Sequence, residues 1–351
     1  MKKFNYETLN NFKVNSEIIN KLTKIHDLRG QITSYKVDYH ETLNRLIEVA
    51  KVQSTDSSNR IEGIYTTDSR LKKILSDKTK PKNRNESEIL GYRDVLKIIH
   101  ERYKYIQLNS SNILSLHKIL FSYTESSWGG KFKDSDNKIV TRYPDGHEEI
   151  RFDPPAAYLV PSLIDSLCTA YNTEFSKEEI SPLLLSGAFV FDFVSIHPFK
   201  DGNGRMSRLL MLLTLYKSGF DVGKYISLEK IIENTKGEYY EALKESSIGW
   251  HSNENDYVPF LNYYLSIILK AYRELQDRVG AINHQKLPVE DLIVKTIQQE
   301  LRPLSRRELV SEIPQYSEIT IKRALVSLQK LGKIKKIGNG KSTKYGIIEF
   351  N

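Results

Sequence analysis

Twelve residues, His197 to Arg208, concentrate the chemistry of this 351-residue chain. His197, Asp201, Arg205 and Arg208 carry ionisable groups, while Gly202, Asn203 and Gly204 supply a turn with little side-chain bulk. A histidine near neutrality can take a proton from an attacking hydroxyl. Two arginines three apart lie close together on a first helical turn, where both guanidinium groups can be directed at one anion. A carboxylate at Asp201 would repel a phosphate unless a cation such as Mg²⁺ bridged the two. A polar inter-helix loop accounts for a bare Gly-Asn-Gly, but not for the whole combination.

The flanking sequence must hold these groups in place. Residues 182–196 are almost all apolar and helix-length, which predicts a buried helix. Pro198 biases His197 out of helical geometry and stops that helix at the histidine. Asp201-Gly202-Asn203-Gly204 is a turn-forming tetrad, and Arg205 is expected to open a second buried helix through Leu215. The tetrad then sits at a helix N-terminus, where unpaired backbone N–H groups and the positive end of the helix dipole make an anion site.

Most of the remaining chain reads as helix. Helical spacing runs through Leu43, Leu46, Ile47 and Ala50, and the polar cluster Ser54–Ser58 is expected to break it before a short element ending at Gly63. Ser58 and Glu62, four apart, share a helical face. Helices are also expected within 85–103, 110–122, 155–175, 228–247 and 257–279, with Gly219 as a C-terminal stop after the second buried helix. The exception is 129–153, whose alternation and Pro144-Asp145-Gly146 turn predict an inserted β-hairpin leaning on the helical body. A linker is expected near 280–288, followed by three helices and a hairpin turning at Gly338-Asn339-Gly340. That order resembles a winged helix-turn-helix domain.

His197 to Arg208 also matches, at every defined position, the motif H-x-F-x-(D/E)-G-N-G-R-x-x-R of Fic proteins. The resemblance extends over residues 35–275, through "ILSLHKIL", "GGKFK", "RFDPP", "YISLEKII" and "YYEAL". It implies a mainly α fold, a Fic-type helical bundle with a β-hairpin flap plus the C-terminal winged helix. The expected domains are 1–100, an N-terminal helical region carrying an inhibitory helix at about 54–63; 101–280, the catalytic core with its flap at 138–153; and 288–351, the winged helix.

The activity implied is transfer of AMP from ATP to a Ser, Thr or Tyr hydroxyl of a target protein or of the chain itself. By that resemblance His197 is the general base and Asp201 the Mg²⁺ ligand. Gly202, Asn203 and Gly204 form the anion hole, Arg205 assists the phosphates, and Arg208 takes the γ-phosphate. Tyr239 and Tyr240 resemble adenine-pocket residues, whereas Ser246 and Ser247 stand where some relatives carry an asparagine. Glu149, Ile150, Arg151 and Phe152 belong to the flap that would align a target by strand addition. The family's inhibitory motif (S/T)-x-x-x-E-(G/N) is met by Ser58, Glu62 and Gly63, which implies that Glu62 pairs with Arg208 and occupies the γ-phosphate's place.

Composition narrows the setting. The single cysteine, Cys168, lies in an apolar stretch, excludes a disulfide framework or cysteine-rich zinc site, and suits a reducing cytoplasm. The N-terminus lacks the apolar core of a signal peptide, and no apolar run has transmembrane length. There is no H-E-x-x-H and no P-loop signature. Residues 301–351 hold eleven Lys/Arg against four Asp/Glu, which places seven of the eight net positive charges there.

The resemblance implies a target-protein hydroxyl as partner, a second copy in a homodimer is a further expectation, and the basic tail points to either DNA or protein at the winged helix, with no membrane expected. A DNA-binding regulator that senses nucleotide with little turnover is a reading of a different class; intact His197 and Asp201 favour the enzyme. Removal of AMP, or transfer of another phosphate group, is also compatible with the motif.

Overall fold

The structure is a computed structural model describing residues 2–10, 15–38, 40–76, 78–142, 148–286, 288–300, 302–314, 316–340 and 343–348. The chain divides into two compact units, Met1–Gln276 and Asp277–Asn351. In the first, α1 (Ser16–Asp38), α2 (His40–Ile61), α3 (Asp68–Leu75), α4 (Arg84–Arg102) and α5 (Ser110–Leu120) precede the hairpin β1 (Ile139–Arg142) and β2 (Glu148–Phe152). There follow α6 (Val160–Lys177), α7 (Pro182–Ile196), α8 (Asn203–Lys217), α9 (Leu228–Asn234), α10 (Lys236–Ser247) and α11 (Val258–Lys286), which runs past the unit boundary. The expected division at residue 100 falls inside α4, and the residues on both sides of it belong to one unit.

At the centre of this unit, α7 packs on α8 and α6, and both α7 and α8 are buried nearly end to end. This explains their apolar sequence. Helix starts use side-chain caps: Asn83 accepts from Glu86 N–H, Asn109 from Asn112 N–H, and Ser227 from Lys230 N–H.

The break expected at Ser54–Ser58 is absent. α2 continues through it to Ile61, and Ser54, Thr55, Ser57, Ser58 and Asn59 are all buried. Polar residues tolerate that position because each hydroxyl or amide has a partner. Ser54 Oγ donates to Glu229 Oε2 at 2.7 Å, and Asn59 Nδ2 donates to Thr55 O. The helix closes in a Schellman motif: Gly63, at φ +77°, donates to Arg60 O, and Ile64 N–H reaches Asn59 O.

The hairpin is shorter than 129–153, although both strands fall within 138–153. Ile139 pairs with Phe152 and Val140 with Ile150, with a register irregularity between the two pairs. The Pro144-Asp145-Gly146 turn lies outside the described residues, as does the side chain of Glu149. Phe152 stacks on His251 and meets the buried Trp250 edge-on, which fixes the base of the hairpin to the helical body. Trp250 is thus packing, its indole N–H donating to buried Asp192. Cys168 is buried, and burial pushes its thiol up to about 12, as a structural thiol requires.

The second unit comprises α12 (Val289–Glu300), β3 (Leu304–Ser305), α13 (Arg306–Glu312), α14 (Glu318–Lys330), β4 (Ile334–Ile337) and β5 (Lys344–Ile347). It has its own apolar core, including Ile293, Leu309, Ile321, Leu328 and Ile334. Its sheet has three strands in the order β3-β5-β4 rather than two, because Leu304 pairs with Tyr345. The expected linker at 280–288 is helical through Lys286. No helix among the described residues is long and apolar enough to cross a membrane.

Glu229 is fully buried and accepts from Ser54, Ser227 and Tyr92 hydroxyls, joining α2, α4 and α9. Glu229→Ala should therefore lower unfolding free energy by about 2–4 kcal/mol, because three buried hydroxyls lose their acceptor. Urea denaturation measures it; a loss within 0.5 kcal/mol, about that of a surface change, would show that the network carries no stability.

Candidate active site

His197 is the pivot between the two buried helices. It caps α7 in the left-handed region, at φ 50° and ψ 60°, rather than in the extended geometry that a following proline favours. Gly202, at φ +84°, forms the N-cap of α8, where a Cβ would press on the Phe121 ring. The first intrahelical bond of α8 runs from Met206 N–H to Gly202 O at 2.8 Å. The N–H groups of Asn203, Gly204 and Arg205 lie ahead of it and point out of the helix end.

The loop between the helices is clamped from inside. Asn203 is buried, and its side chain accepts from Phe199 N–H and donates to Phe199 O, both at 2.8 Å. Its side chain is thus occupied within the loop, and only its backbone N–H is left to meet an anion. Phe199 is fully buried and lies flat against His117, with centroids 3.7 Å apart. Gly130 N–H donates to His117 Nδ1, which leaves the proton on Nε2 to bond the Asp201 carbonyl at 3.0 Å. Burial holds the His117 pKa down, to about 4, so the ring stays neutral in this role. His117 lies in the segment "ILSLHKIL", and nothing in its spacing marks it as a loop anchor.

The two arginines diverge. Arg208 is buried; its Nε donates to Ser58 Oγ, and its Nη2 donates to Ser58 O and to Glu62 Oε1, each at 2.8 Å. Burial raises the Glu62 pKa, but the charge and hydrogen bond of Arg208 outweigh it and leave the carboxyl lowered. Arg205 faces away from that pair. Its guanidinium is buried, paired to Glu88 at 2.6 Å and to Asp201 at 3.5 Å, above the Phe121 ring. The expectation that both guanidinium groups point at one ligand is corrected: three residues apart on α8, they serve different neighbours, because Glu88 of α4 claims Arg205.

A cavity of about 620 Å³ opens beside this loop. It is lined by His197, Gly204, Arg208 and Glu62, and by Tyr239, Tyr240 and Lys236 of α10. Ile139 and Arg151 from the hairpin also face it. Asp201, Gly202, Asn203 and Arg205 are not among its bounding residues. Arg151 sits over the Tyr240 ring at 4.5 Å, whereas Ile150 is half exposed and Phe152 packs at the hairpin's base. Ser246 is buried and accepts from Phe260 N–H, so it serves packing. His197 has its pKa lowered to about 4 by burial, then by the charge of Lys133; its imidazole is neutral at physiological pH and able to accept a proton.

Asp201 presents a partly exposed carboxylate on this loop. Its carboxylate is 39% exposed, and Oδ2 already faces a cation, the Arg84 guanidinium, at 2.8 Å. Among the described residues no cluster of three His, Cys, Asp or Glu could hold a metal alone. A single carboxylate suits Mg²⁺ that derives its other ligands from phosphate oxygens and water.

The architecture and site define a helical fold with unpaired backbone N–H groups at the N-terminus of a buried helix and a neutral histidine beside it. Residues 107–215 match the model described as the Fic/DOC family, and the chain carries a Fic/DOC family domain. It is 27% identical over 267 residues to a protein adenylyltransferase Fic from Drosophila willistoni, a match covering 73% of this chain and 49% of that one. The corresponding protein from Nematostella vectensis is 24% identical over 251 residues, covering 69% and 52%. The chain thus spans about half the length of the curated relatives it matches.

In fold it is similar to a Fic family protein from Desulfovibrio desulfuricans G20, with a TM-score of 0.62 and 20% identity over 97% of this chain and 98% of that one. A Fic-1 structure from C. elegans gives 0.61 and 20% over 77% and 74%.

Gly204 lies directly against the pair formed by Glu62 and Arg208: a methyl group there would run into Glu62 Oε1. Gly204→Ala should push the carboxylate off Arg208 and lower stability by about 1–2 kcal/mol, a buried-pair loss discounted for the partly exposed Glu62. In a Glu62→Gly background the same change should be close to neutral. Urea denaturation of the four proteins measures the cycle; equal costs in both backgrounds would contradict the contact.

Proposed function

We propose that the chain is a self-inhibited protein adenylyltransferase, transferring AMP from ATP to a Ser, Thr or Tyr hydroxyl of a target protein or of itself. The observation that carries this reading is Arg208: buried near the N-terminal end of α8, yet satisfied by the partly exposed carboxylate of Glu62. The names of the curated relatives support it.

In this mechanism the target hydroxyl oxygen attacks the α-phosphorus of ATP and His197 takes its proton. A bond forms from that oxygen to phosphorus, the bond to the bridging oxygen breaks, and pyrophosphate leaves. The amides ahead of α8 bind the phosphates, and Arg208 binds the γ-phosphate once Glu62 has left it. Asp201, on exchanging Arg84, would hold Mg²⁺, which when bound would supply neutralisation of charge on the leaving group. Arg205 acts indirectly, by holding Asp201. Tyr239 and Tyr240 are assigned to the adenine side of the cavity. An outer edge of the two-stranded sheet β1-β2 is assigned to pairing with the target's backbone. ATP as donor and a single buried thiol suit a cytoplasmic setting.

Glu62→Gly should raise AMP transfer by at least about tenfold, since Arg208 no longer loses a bonded carboxylate when it meets phosphate. His197→Ala in that background should abolish transfer. Because the neutral imidazole is the active form, transfer should be pH-independent from neutrality down and fall as pH drops through about 4; loss of the Glu62 charge, which raises that pKa, moves the limb no higher. Labelling with α-³²P-ATP across pH reads all three, and equal activity of wild type and Glu62→Gly removes the self-inhibition.

For the second unit we infer binding to duplex DNA, making DNA rather than protein the ligand of the winged-helix-like module. Lys322 and Arg323 on α14, and Lys335 and Lys336 on β4, all face solvent. The full chain should lose affinity for random duplex steeply between 50 and 200 mM salt. Lys335→Glu/Lys336→Glu should flatten that slope by about two contacts. Salt-independent binding, or none, overturns it.

A further inference from the structure

The Schellman closure of α2 leaves two carbonyls of the last turn bonded from outside the helix, Ser58 O by Arg208 and Ile61 O by a residue of another helix. Asn59 O accepts from Ile64 N–H, and Arg60 O accepts from Gly63 N–H. Ile61 O, directly before Glu62, accepts instead from Lys236 Nζ at 2.7 Å. Lys236 is the first residue of α10, so the end of the inhibitory helix is tied across to a separate helix by a charged donor. A cation at a helix C-terminus also meets the negative end of its dipole. Lys236 bounds the same cavity as Arg208, Gly204 and His197, and its charge helps to hold the Glu62 carboxyl pKa down.

We propose that Lys236 is a second latch on the inhibitory helix, a positioning residue that holds Glu62 through the Ile61 carbonyl and passes to the nucleotide's phosphates when the helix end yields. The latch follows from the bond itself. The transfer follows from charge: a carbonyl is a neutral acceptor, whereas a phosphate oxygen in the same cavity is anionic and takes a charge-assisted hydrogen bond from an ammonium. Lys236 Nζ also lies 5.8 Å from the Tyr240 ring centroid, opposite in sequence to the hairpin's Arg151 at 4.5 Å from the same ring. The latch therefore shares an aromatic support with the flap.

The latch itself depends on no reading of the reaction, whereas the transfer rests on the assignment of ATP to this cavity, so the test has two arms. In the first, amide hydrogen exchange is followed by mass spectrometry on the full chain without nucleotide. Lys236→Met should speed exchange across Asn59–Ile64 by about tenfold, the loss of one charged hydrogen bond, and Lys236→Arg should restore protection. Unchanged exchange overturns the latch whatever the chain catalyses, as does failure of arginine to restore it.

In the second arm, calorimetry with ATP and Mg²⁺ compares Lys236→Met in two backgrounds. With Glu62 present it should leave ATP affinity unchanged or improve it, because the competing helix end is loosened. With Glu62→Gly it should weaken affinity about tenfold, because only the phosphate contact is left to lose. The same change in both backgrounds overturns the transfer. Absence of ATP binding in Glu62→Gly itself overturns the assignment of ATP, and with it the transfer, and leaves the exchange result standing for the latch.

Discussion

The structure turns on a guanidinium that is almost wholly buried. Arg208 is 2% exposed, so its donors must be met inside the protein, and an unmet buried charge is strongly destabilising. Ser58 meets two of them permanently, through its hydroxyl and its carbonyl; Glu62 meets a third from a position one-third exposed. On the proposed function, one arginine is divided into a half held by Ser58 and an exchangeable half that Glu62 yields. The exchangeable half can be satisfied by any anion that fits, and a carboxylate and a phosphate cannot be there together.

That division depends on where α2 ends. A helix stopping at Ser54 could not deliver Ser58 and Glu62 to the same guanidinium. The buried polar face from Ser54 to Asn59 is what carries the helix onward, with Glu229 beneath it and Lys236 at its tip. Polar side chains in such a position favour one register, because sliding the helix by a residue would leave several hydroxyls unpaired at once. The apolar α7 and α8 supply mass and burial; the polar seam supplies alignment.

Much of this was legible in the sequence and some of it was not, for physical reasons. The helix–loop–helix around His197 could be read because apolar run, proline, turn tetrad and apolar run each restrict the backbone locally. Gly63 announced its own left-handed cap, and the strands of the hairpin were marked by alternation. The cluster Ser54–Ser58 misled because hydroxyls disfavour helix interiors unless tertiary partners satisfy them, and those partners, Ser227, Glu229 and Arg208, are about 150 to 175 residues away. The directions of Arg205 and Arg208 were illegible for a related reason: both sit on one turn, and only Glu88, brought in by α4, separates their fates. His117 and Lys236 act by touching a backbone carbonyl, and a carbonyl has no letter in the sequence.

Beneath the loop, charge is arranged as a closed circuit. Glu88 pairs with Arg205 and with Arg84, and Asp201 pairs with the same two arginines, so two carboxylates and two guanidinium groups alternate around a ring. Such a ring is neutral as a whole, which lets Glu88 and Arg205 stay buried without an uncompensated charge. Its links are unequal. The Glu88–Arg205 link is dry and short, at 2.6 Å, whereas Asp201 meets Arg205 at only 3.5 Å and its other partner, Arg84, is 59% exposed. A cation arriving at Asp201 therefore meets the ring at its wet side, where an arginine can swing into solvent at little cost, while the dry side keeps the end of α8 fixed. The same logic governs both ends of the site: the buried member of each ionic group anchors the fold, and the exposed member is the one that can be exchanged.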